Sequence, residues 1–586
     1  MKDELIIGID LGTTNSAVAV AIDGKPFVIA NEEGKRTIPS IVYIEDGKIF
    51  VGDEAKALMT ENKDVVFSIK RLMGTKEKVH LDGKDYSPEQ ISGLILQYIK
   101  NRSEHDLNAK ITKAVITVPA YFDDGQRQAT INAGKIAGLD VLRIINEPTA
   151  AAIAYGLDRK KGAANQKILV YDLGGGTFDV SVLHLQDGLF EVLSTSGDNM
   201  LGGDDWDNKI IDLIVSKLEA GGEKINIKDL HFHNSLKSVS EKIKIELSKG
   251  ESTTVDLTLF KRPDLNFEWT KTEFEELTFD LMERTKFPVE DALREAKLEA
   301  KDIDKMLMVG GSTKMPMVRD YVKKLFGDAV EMGVNPDEVV ALGAAVQGAI
   351  LKGDVDIELQ DVIPLTIGIE THDGLSHPLL PRNSKIPAKK TGTFTTNYDG
   401  QDNIEINIIQ GERKFAKDNR PLSGFIFDKI QYDIAGVPKI KVTYEIDLNG
   451  ILNVSARDVQ TGKEQSVVVK DTSGLSGSEI SRMITEAQRF KQDDIRKLKD
   501  IELSQIIYDY LQILVAYMNQ TPYDLPPYYK RERSMEWVLN VEKWITEKDY
   551  EIIRKKAFAF MLHVNISLYY ETKKGMVKLG FKSPRG

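Results

Sequence analysis

The phrase Asp10-Leu11-Gly12-Thr13-Thr14 recurs, with the same Asp–Leu–Gly opening and a following threonine, as Asp172-Leu173-Gly174-Gly175-Gly176-Thr177. An apolar run, Leu5 to Ile9 or Ile168 to Tyr171, leads into each copy, and strand-like residues follow. Both copies therefore read as strand, glycine-rich turn, strand, with an Asp closing the first strand and hydroxyls in the turn. A single turn of this kind is an ordinary hairpin, with Asp and Gly at turn positions. Two copies in one order point to a duplicated unit, and two such turns facing each other would make a phosphate clamp. Glycine lets the backbone N–H groups approach phosphate oxygens closely. Asp10 and Asp172 are suited to hold Mg²⁺ through its water shell, which the ion gives up reluctantly. Thr13, Thr14 and Thr177 would bond the β- and γ-phosphates. A third glycine turn, Val309-Gly310-Gly311-Ser312-Thr313, also follows an apolar strand and would lie against adenine and ribose. The G-x-x-x-x-G-K-[ST] pattern does not occur, so a P-loop is excluded.

At 586 residues, two to four domains are expected. Residues 1 to 352 alternate apolar strand-like runs with amphipathic helical stretches. Ala114 to Val118 and Met306 to Val309 are buried-strand candidates, and Ser87 to Ile99 and Gln126 to Ala137 are helix candidates, the first with Ser87 as cap and Pro88 in its first turn. Residues 353 to 362 are acidic and without helical period, and read as an extended linker. From 363 to 470 the period drops to two, as in Ile404 to Ile408 and Ile440 to Tyr444, which predicts an all-β domain with a turn at Leu448-Asn449-Gly450. Residues 471 to 586 read as helical: Ile480, Met483, Ile484 and Ala487 share a helical face behind a capping box at Ser476 and Glu479, a break spans Thr521 to Tyr529, and a further helix covers Lys548 to Tyr570. Tyr508, Tyr510, Tyr517 and Tyr523 read as bundle core or an exposed patch, with core favoured, in a segment that also carries Trp537 and Trp544.

A net charge of −12 argues against nucleic acid as a partner. No apolar run is long enough to span a bilayer, and no signal peptide is visible at the N-terminus, so no membrane role is expected. The absence of cysteine removes thiol chemistry and fits a cytoplasmic setting.

The three glycine turns resemble those of the actin, sugar kinase and heat-shock chaperone ATPase superfamily. Ile7 to Ser16, Val118-Pro119-Ala120-Tyr121-Phe122, Asn146 to Ala152 and Asp172 to Ser181 narrow the resemblance to the heat-shock protein 70 chaperone family, bacterial DnaK type, from residue 4 to about residue 490. The resemblance implies a multidomain protein: an α/β actin-like (ribonuclease H-like) ATPase domain, an all-β sandwich that binds peptide, and an α-helical lid. It implies an ATP-dependent chaperone for exposed apolar segments of unfolded proteins, using ATP/ADP and Mg²⁺, with K⁺ as a candidate second ion. A J-domain co-chaperone and a GrpE-type nucleotide exchange factor are the implied partners, and a monomer is expected.

By motif, Lys70 corresponds to the catalytic lysine, which would stabilise charge spreading on the γ-phosphate. Glu147, Asp10 and Asp172 would orient water or metal ligands, Asp179 a further Mg²⁺ water, and Thr177 is the implied autophosphorylation site. Gly12, Thr13, Thr14, Asn15, Gly174, Gly175, Gly176, Gly202, Gly203, Gly310, Gly311, Ser312 and Asp337 would line the nucleotide site. Glu241, Lys244 and Ser248, on one helix face, and Lys314, where the family often has Arg, would hold adenine. Pro119, Arg127 and Asp361 are implied in relaying the nucleotide state, and Arg143, Asn146 and Thr149 in contacting the J-domain. Gly343-Ala344-Ala345 would allow close helix packing near a hinge.

The implied peptide pocket is Ile367, Ile369, Phe394, Ile404, Ile406 and Ile440, with His372 and Asn397 as an unusually polar arch and Ala435 where relatives carry a lid-latching Arg. Taken alone, the apolar set reads equally as the inward face of a sandwich. Within the linker, Ile357-Glu358-Leu359-Gln360 retains two apolar residues where the family has about four. Each lost side chain would cost on the order of 1–2 kcal/mol of docking, so a weakly coupled holdase is the alternative to a full chaperone cycle.

Overall fold

A computed structural model describes residues 5–468, apart from 31–33, 59–64, 158–164, 224, 227–229, 332 and 432, together with single helical positions between 503 and 556. Among the described residues, those up to 412 and from 416 to 468 form one compact unit, and residues 413–415 and those from 503 onward belong to a second. No helix among the described residues is long and apolar enough to cross a membrane.

The duplicated phrase corresponds to a duplicated sheet. In the first, Ile6–Asp10 and Asn15–Ile22 form an antiparallel hairpin, Lys25–Val28 extends it, and Lys113–Val118 and Asp140–Asn146 add in parallel on the other side. In the second, Gln166–Leu173 and Phe178–Gln186 form the hairpin, Leu189–Asp198 extends it, and Lys305–Val309 adds in parallel. Of the strands joined in parallel, Met306 to Val309 reads as an unbroken apolar run and Ala114 to Val118 is interrupted only by the buried Thr117, because both of their faces are covered. The two expected helices are present as Pro88–Leu107 and Asp124–Ile136. Ser87 caps the first by accepting the Gln90 N–H, and Asp123 caps the second in the same way.

Helices Glu147–Leu157 and Val339–Lys352 pack together beside both sheets, in a shared core with Val115, Val170 and Leu307. Glycine and alanine set that distance. A Cβ on Gly343 would lie 1.8 Å from the Ala150 carbonyl oxygen, and one on Gly8 would lie 2.1 Å from the Ala345 nitrogen. The expectation that Gly343-Ala344-Ala345 permits close helix packing is met.

The segment read as a linker is partly a strand. Glu358–Val362 pairs in parallel with Leu189–Glu191 of the second sheet, and on its other side Asp361 and Val362 pair antiparallel with Lys385 and Ile386. Ile357 and Leu359 pack against the core beside the paired helices. Beside these two apolar side chains, the backbone ladder adds hydrogen bonds that side-chain counting omits.

Beyond it stands a sandwich of two four-stranded antiparallel sheets. One runs Ser376–Leu380, Ile367–Glu370, Ile404–Gln410, Arg420–Phe427; the other runs Ala388–Phe394, Ile440–Ile446, Leu452–Asp458, Glu464–Val468. Ile440–Ile446 alternates buried and outward residues throughout, as its period of two predicts. Of the expected C-terminal helical segment, Leu503, Ile507 and Leu511 are helical and buried at four-residue spacing, Val541 and Ile553 are helical and buried, and Trp544 is helical and half-buried. The helical face of Ile480, Met483, Ile484 and Ala487 with its capping box at Ser476 and Glu479, the break at Thr521 to Tyr529, Tyr508, Tyr510, Tyr517, Tyr523 and Trp537 lie outside the described residues.

The sandwich meets the α/β part through buried charge. Arg382 donates to Asp291 Oδ2 at 2.6 Å and to the Thr195 carbonyl at 3.2 Å, and Asp291 is fully buried. Arg420 reaches Asp123 Oδ2 at 3.3 Å, and the Ile144 N–H donates to Asn449 Oδ1 at 2.9 Å. Removing one partner of a buried pair strands the other charge, at a cost of about 3–5 kcal/mol. Arg382→Ala is therefore expected to loosen the sandwich, read as faster protease cleavage within residues 353–362; unchanged protection would show that the pair does not hold it.

Candidate active site

The three glycine turns converge. The Gly174 carbonyl accepts the Gly203 N–H at 3.0 Å and the Ser312 hydroxyl at 2.8 Å, and the Gly175 carbonyl accepts the Asp204 N–H at 2.8 Å. The first turn faces the second so closely that a Cβ on Gly175 would lie 2.0 Å from Thr14 Oγ1. Gly310, at φ 82°, sits where a Cβ would meet the Leu173 carbonyl oxygen at 2.4 Å. Ser40, which the sequence did not single out, braces the first turn: its hydroxyl donates to the Gly12 carbonyl at 2.8 Å and its N–H to that of Thr14 at 2.8 Å.

Between the turns lies a cleft of about 440 Å³. Asp10, Gly12, Thr13, Thr14, Asn15, Lys70, Glu147, Asp172, Gly174, Gly175, Thr177 and Gly203 line it around the first two glycine turns, and Glu241, Lys244, Ser248, Gly310, Gly311, Ser312, Lys314 and Asp337 line the remainder. Gly176, Gly202 and Asp179 stand behind that lining. Val309, which opens the third glycine turn, also lines it, and Thr37, Lys249, Pro336 and the apolar walls Ile245, Met315 and Val340 do so without having been foreseen. Ile245 was within reach of sequence reasoning, since it lies one helical turn after Glu241.

Lys70 is buried and donates to Glu147 Oε1 at 2.5 Å. Around this pair lie Asp10, Asp172 and Asp179, so four carboxylates share one ammonium. Asp10 accepts the Thr117 hydroxyl at 3.1 Å, and Asp179 accepts the Tyr121 N–H at 3.2 Å. The second carboxylate oxygens of Asp172 and Asp179 are buried with no hydrogen-bond partner. Burial, reinforced by Glu147, pushes Asp10 up to about 7 and Asp179 up to about 8, and raises Asp172 well above the carboxylate range. A surplus of buried acid with orphaned oxygens is a donor set that fits a divalent cation. Among the described residues no group of three His, Asp or Glu side chains converges closely enough to ligate a metal directly.

On the far side, Lys244 donates to the Gly203 carbonyl at 2.9 Å and pairs with Asp207 at 2.8 Å. Lys56 closes over Glu241 at 3.0 Å, and Lys314 is paired with Asp337. The residues assigned to relay the site's state form a connected chain. Asn146 Nδ2 donates to Asp361 Oδ2 at 2.8 Å and Thr149 Oγ1 to the same oxygen at 3.4 Å, while Asn146 Oδ1 accepts from Arg127 at 2.7 Å. Arg127 also binds the carbonyls of Ala120 and Phe122, in the segment opened by Pro119. Burial raises the Asp361 carboxyl against the opposing pull of Arg127 and Arg143. Arg143, Asn146 and Thr149, read as a co-chaperone face, are all buried in this arrangement.

In the sandwich, Ile367, Ile369, Ile406 and Ile440 lie in the core, Phe394 and Ile404 are half-buried at its margin, and His372 and Asn397 are exposed. The backbone N–H of Ala435 donates to Asp399 at 2.8 Å.

The family model described as Hsp70 protein matches residues 6–80 and 75–559. The chain belongs to the Hsp70 family. It is 52% identical over 513 residues to the chaperone protein DnaK of Ureaplasma urealyticum, covering 86% of this chain and 85% of that relative. It is 46% identical over 563 residues to the chaperone protein DnaK of Mycoplasmopsis agalactiae, covering 95% and 94%. The DnaK of Mycoplasmopsis synoviae is 50% identical over 508 residues. This Hsp70 is an ATP-dependent chaperone whose ATP hydrolysis is coupled to chaperone activity. The family binds ATP and ADP, typically with Mg²⁺, and acts on unfolded substrates with co-chaperones.

The raised acids give a pH signature. Asp179 has a folded pKa of about 8 against an ordinary 3.8. Its contribution favours the folded state below the unfolded value and is lost as pH rises through the folded one. In nucleotide- and metal-free protein, Asp179→Asn should flatten the decline in Tm between about pH 5 and about pH 8. Parallel decline in both proteins would show that Asp179 is not held protonated.

Proposed function

We propose that residues 1–352 form the ATPase, 353–362 the coupling segment, 363–470 the peptide-binding sandwich and 471–586 the lid of this chaperone. The observation that carries the catalytic reading is the buried Lys70–Glu147 pair, set in a cleft between two glycine turns that touch. The backbone of Gly12 to Asn15 and Gly174 to Gly176 cradles phosphate, with Thr13, Thr14 and Thr177 supplying hydroxyls. Gly203, Gly310, Gly311, Ser312 and Asp337, backed by Gly202, hold the ribose side, and Glu241, Lys244, Ser248 and Lys314 the adenine side, against the walls of Ile245 and Val340. Asp10, Asp172 and Asp179 hold Mg²⁺ through its waters, with K⁺ as a second ion. When bound, Mg²⁺ neutralises charge on the phosphate oxygens. Lys70 donates towards the γ-phosphate and stabilises charge that grows as the bond breaks. Glu147 holds the lysine, and with Asp10 orients water. Thr177 is the hydroxyl placed for autophosphorylation.

The charge-linked chain from Asp179 through Tyr121, Arg127 and Asn146 to Asp361 supports a relay from the nucleotide site to the coupling segment. Ile404 and Phe394, half-buried at the margin, with His372 and Asn397 outside them, are the candidate peptide contacts, and Ile367, Ile369, Ile406 and Ile440 support them from the core. Unfolded apolar segments, a J-domain protein and a GrpE-type exchange factor are the proposed partners of a cytoplasmic monomer.

Lys70→Ala should lower single-turnover hydrolysis by about 100-fold or more while ATP affinity stays within about threefold. Near-normal turnover in that variant would remove the role given to Lys70. ATPase rate measured with and without an extended apolar peptide and a J-domain tests the coupled cycle: stimulation supports it, and bound peptide without stimulation overturns it.

A further inference from the structure

The turn that carries Lys70 is tied across the cleft by its neighbours. Ile69–Leu72 is a single 3-10 turn, entered through Ser68 in the left-handed region at φ 53°. A non-glycine residue there is strained and persists only where surrounding contacts fix it. Those contacts come from the opposite side of the cleft. Ser68 Oγ donates to Asp204 Oδ2 at 2.7 Å. Arg71 Nη2 donates to the Gly176 carbonyl at 3.0 Å and to Asp205 Oδ2 at 2.7 Å, and Arg71 Nε lies 3.8 Å from Asp204 Oδ2. The same Asp205 oxygen accepts the Gly202 N–H at 2.8 Å. Gly202 in turn packs on the phosphate turn, where its Cβ would lie 2.5 Å from the Gly176 nitrogen. One guanidinium therefore joins the Lys70 turn, the second phosphate turn and the start of helix Gly203–Ala220.

We infer that Arg71 is a positioning residue for hydrolysis: through Gly176 and Asp205 it locks Lys70 into the cleft only when the two halves are closed. The inference rests on the role given above to Lys70. Arg71 has no need to touch nucleotide, since its Nη2 is committed to two protein acceptors and, of the residues in this turn, Lys70 alone enters the cleft lining. Arginine suits the task because its planar fork can serve a carbonyl and a carboxylate at once, which a lysine ammonium does with less directional control.

The test compares single-turnover ATP hydrolysis, ATP affinity and Tm for Arg71→Ala, Arg71→Lys, Asp205→Asn and Lys70→Ala in the full chain. Asparagine at 205 keeps an acceptor for the Gly202 N–H while removing the charge that faces Arg71. Arg71→Ala is expected to slow hydrolysis by about 10- to 100-fold, the range for misplacing a catalytic group by about 1 Å, with ATP affinity changed by less than about threefold. Arg71→Lys should recover part of the rate. Combining Arg71→Ala with Asp205→Asn should be no slower than the worse single variant, and Arg71→Ala should add nothing in the Lys70→Ala background, because coupled residues are not additive. A normal rate in Arg71→Ala with an inactive Lys70→Ala overturns the positioning role alone. A normal rate in Lys70→Ala overturns the reading of Lys70 itself. A further loss from Arg71→Ala in the Lys70→Ala background, or loss of ATP affinity matching the loss of rate, overturns action through Lys70.

Discussion

The contact on which this structure depends is glycine backbone against threonine side chain, where the first two turns meet. Gly175 and Gly176 lie against the Thr14 and Thr13 side chains with no room for a Cβ, and the Gly174 and Gly175 carbonyls accept hydrogen bonds from Gly203, Ser312 and Asp204. Each turn is the loop of a hairpin at the centre of its own sheet, so this meeting fixes one sheet against the other. Everything placed in the cleft inherits that geometry: the threonine hydroxyls, the buried Lys70–Glu147 pair and the three aspartates around it.

Electrostatics then makes the cleft a place for a charged ligand. Three buried carboxylates, the half-buried Asp10 and one ammonium leave Asp10, Asp172 and Asp179 shifted towards their protonated forms when nothing else balances them. A cation would restore their ionised state, so binding and protonation are linked. The same burial extends outward through the Tyr121 segment and Arg127 to Asp361, whose carboxyl is held among Asn146, Thr149 and two arginines. Asp361 belongs to a strand that continues the second sheet and pairs onward with Lys385 and Ile386. The polar composition of residues 353–362 suggested weak docking. In the structure the hydrogen-bonded ladder and the packing of Ile357 and Leu359 replace the missing apolar side chains.

The legible parts of the fold were those with local causes. The strand pairs around Asp10 and Asp172, the capped helices from Pro88 and Asp124 and the alternating strand Ile440–Ile446 follow from periodicity, capping and turn residues. Site residues tied to those turns were legible for the same reason. Ser40, Thr37, Met315 and Pro336 were missed because no local pattern marks them; they enter the site only when distant segments meet. Arg143, Asn146 and Thr149 show the converse. Their types were noted correctly, but whether they face water depends on a strand more than two hundred residues later in the chain.

By itself the sequence determined that the chain carries a duplicated strand–turn–strand unit with acids and hydroxyls at fixed places, followed by a segment of alternating β pattern. Those properties belong to short stretches, and steric and capping rules act within them. Only the tertiary structure decided that the two units face each other, that Arg71 reaches Asp205 and Gly176 across the cleft, and that Arg382 is buried against Asp291. These are pairings between residues far apart in the chain. Their energies come from desolvation and close packing, which exist only once the sheets and the sandwich have come together.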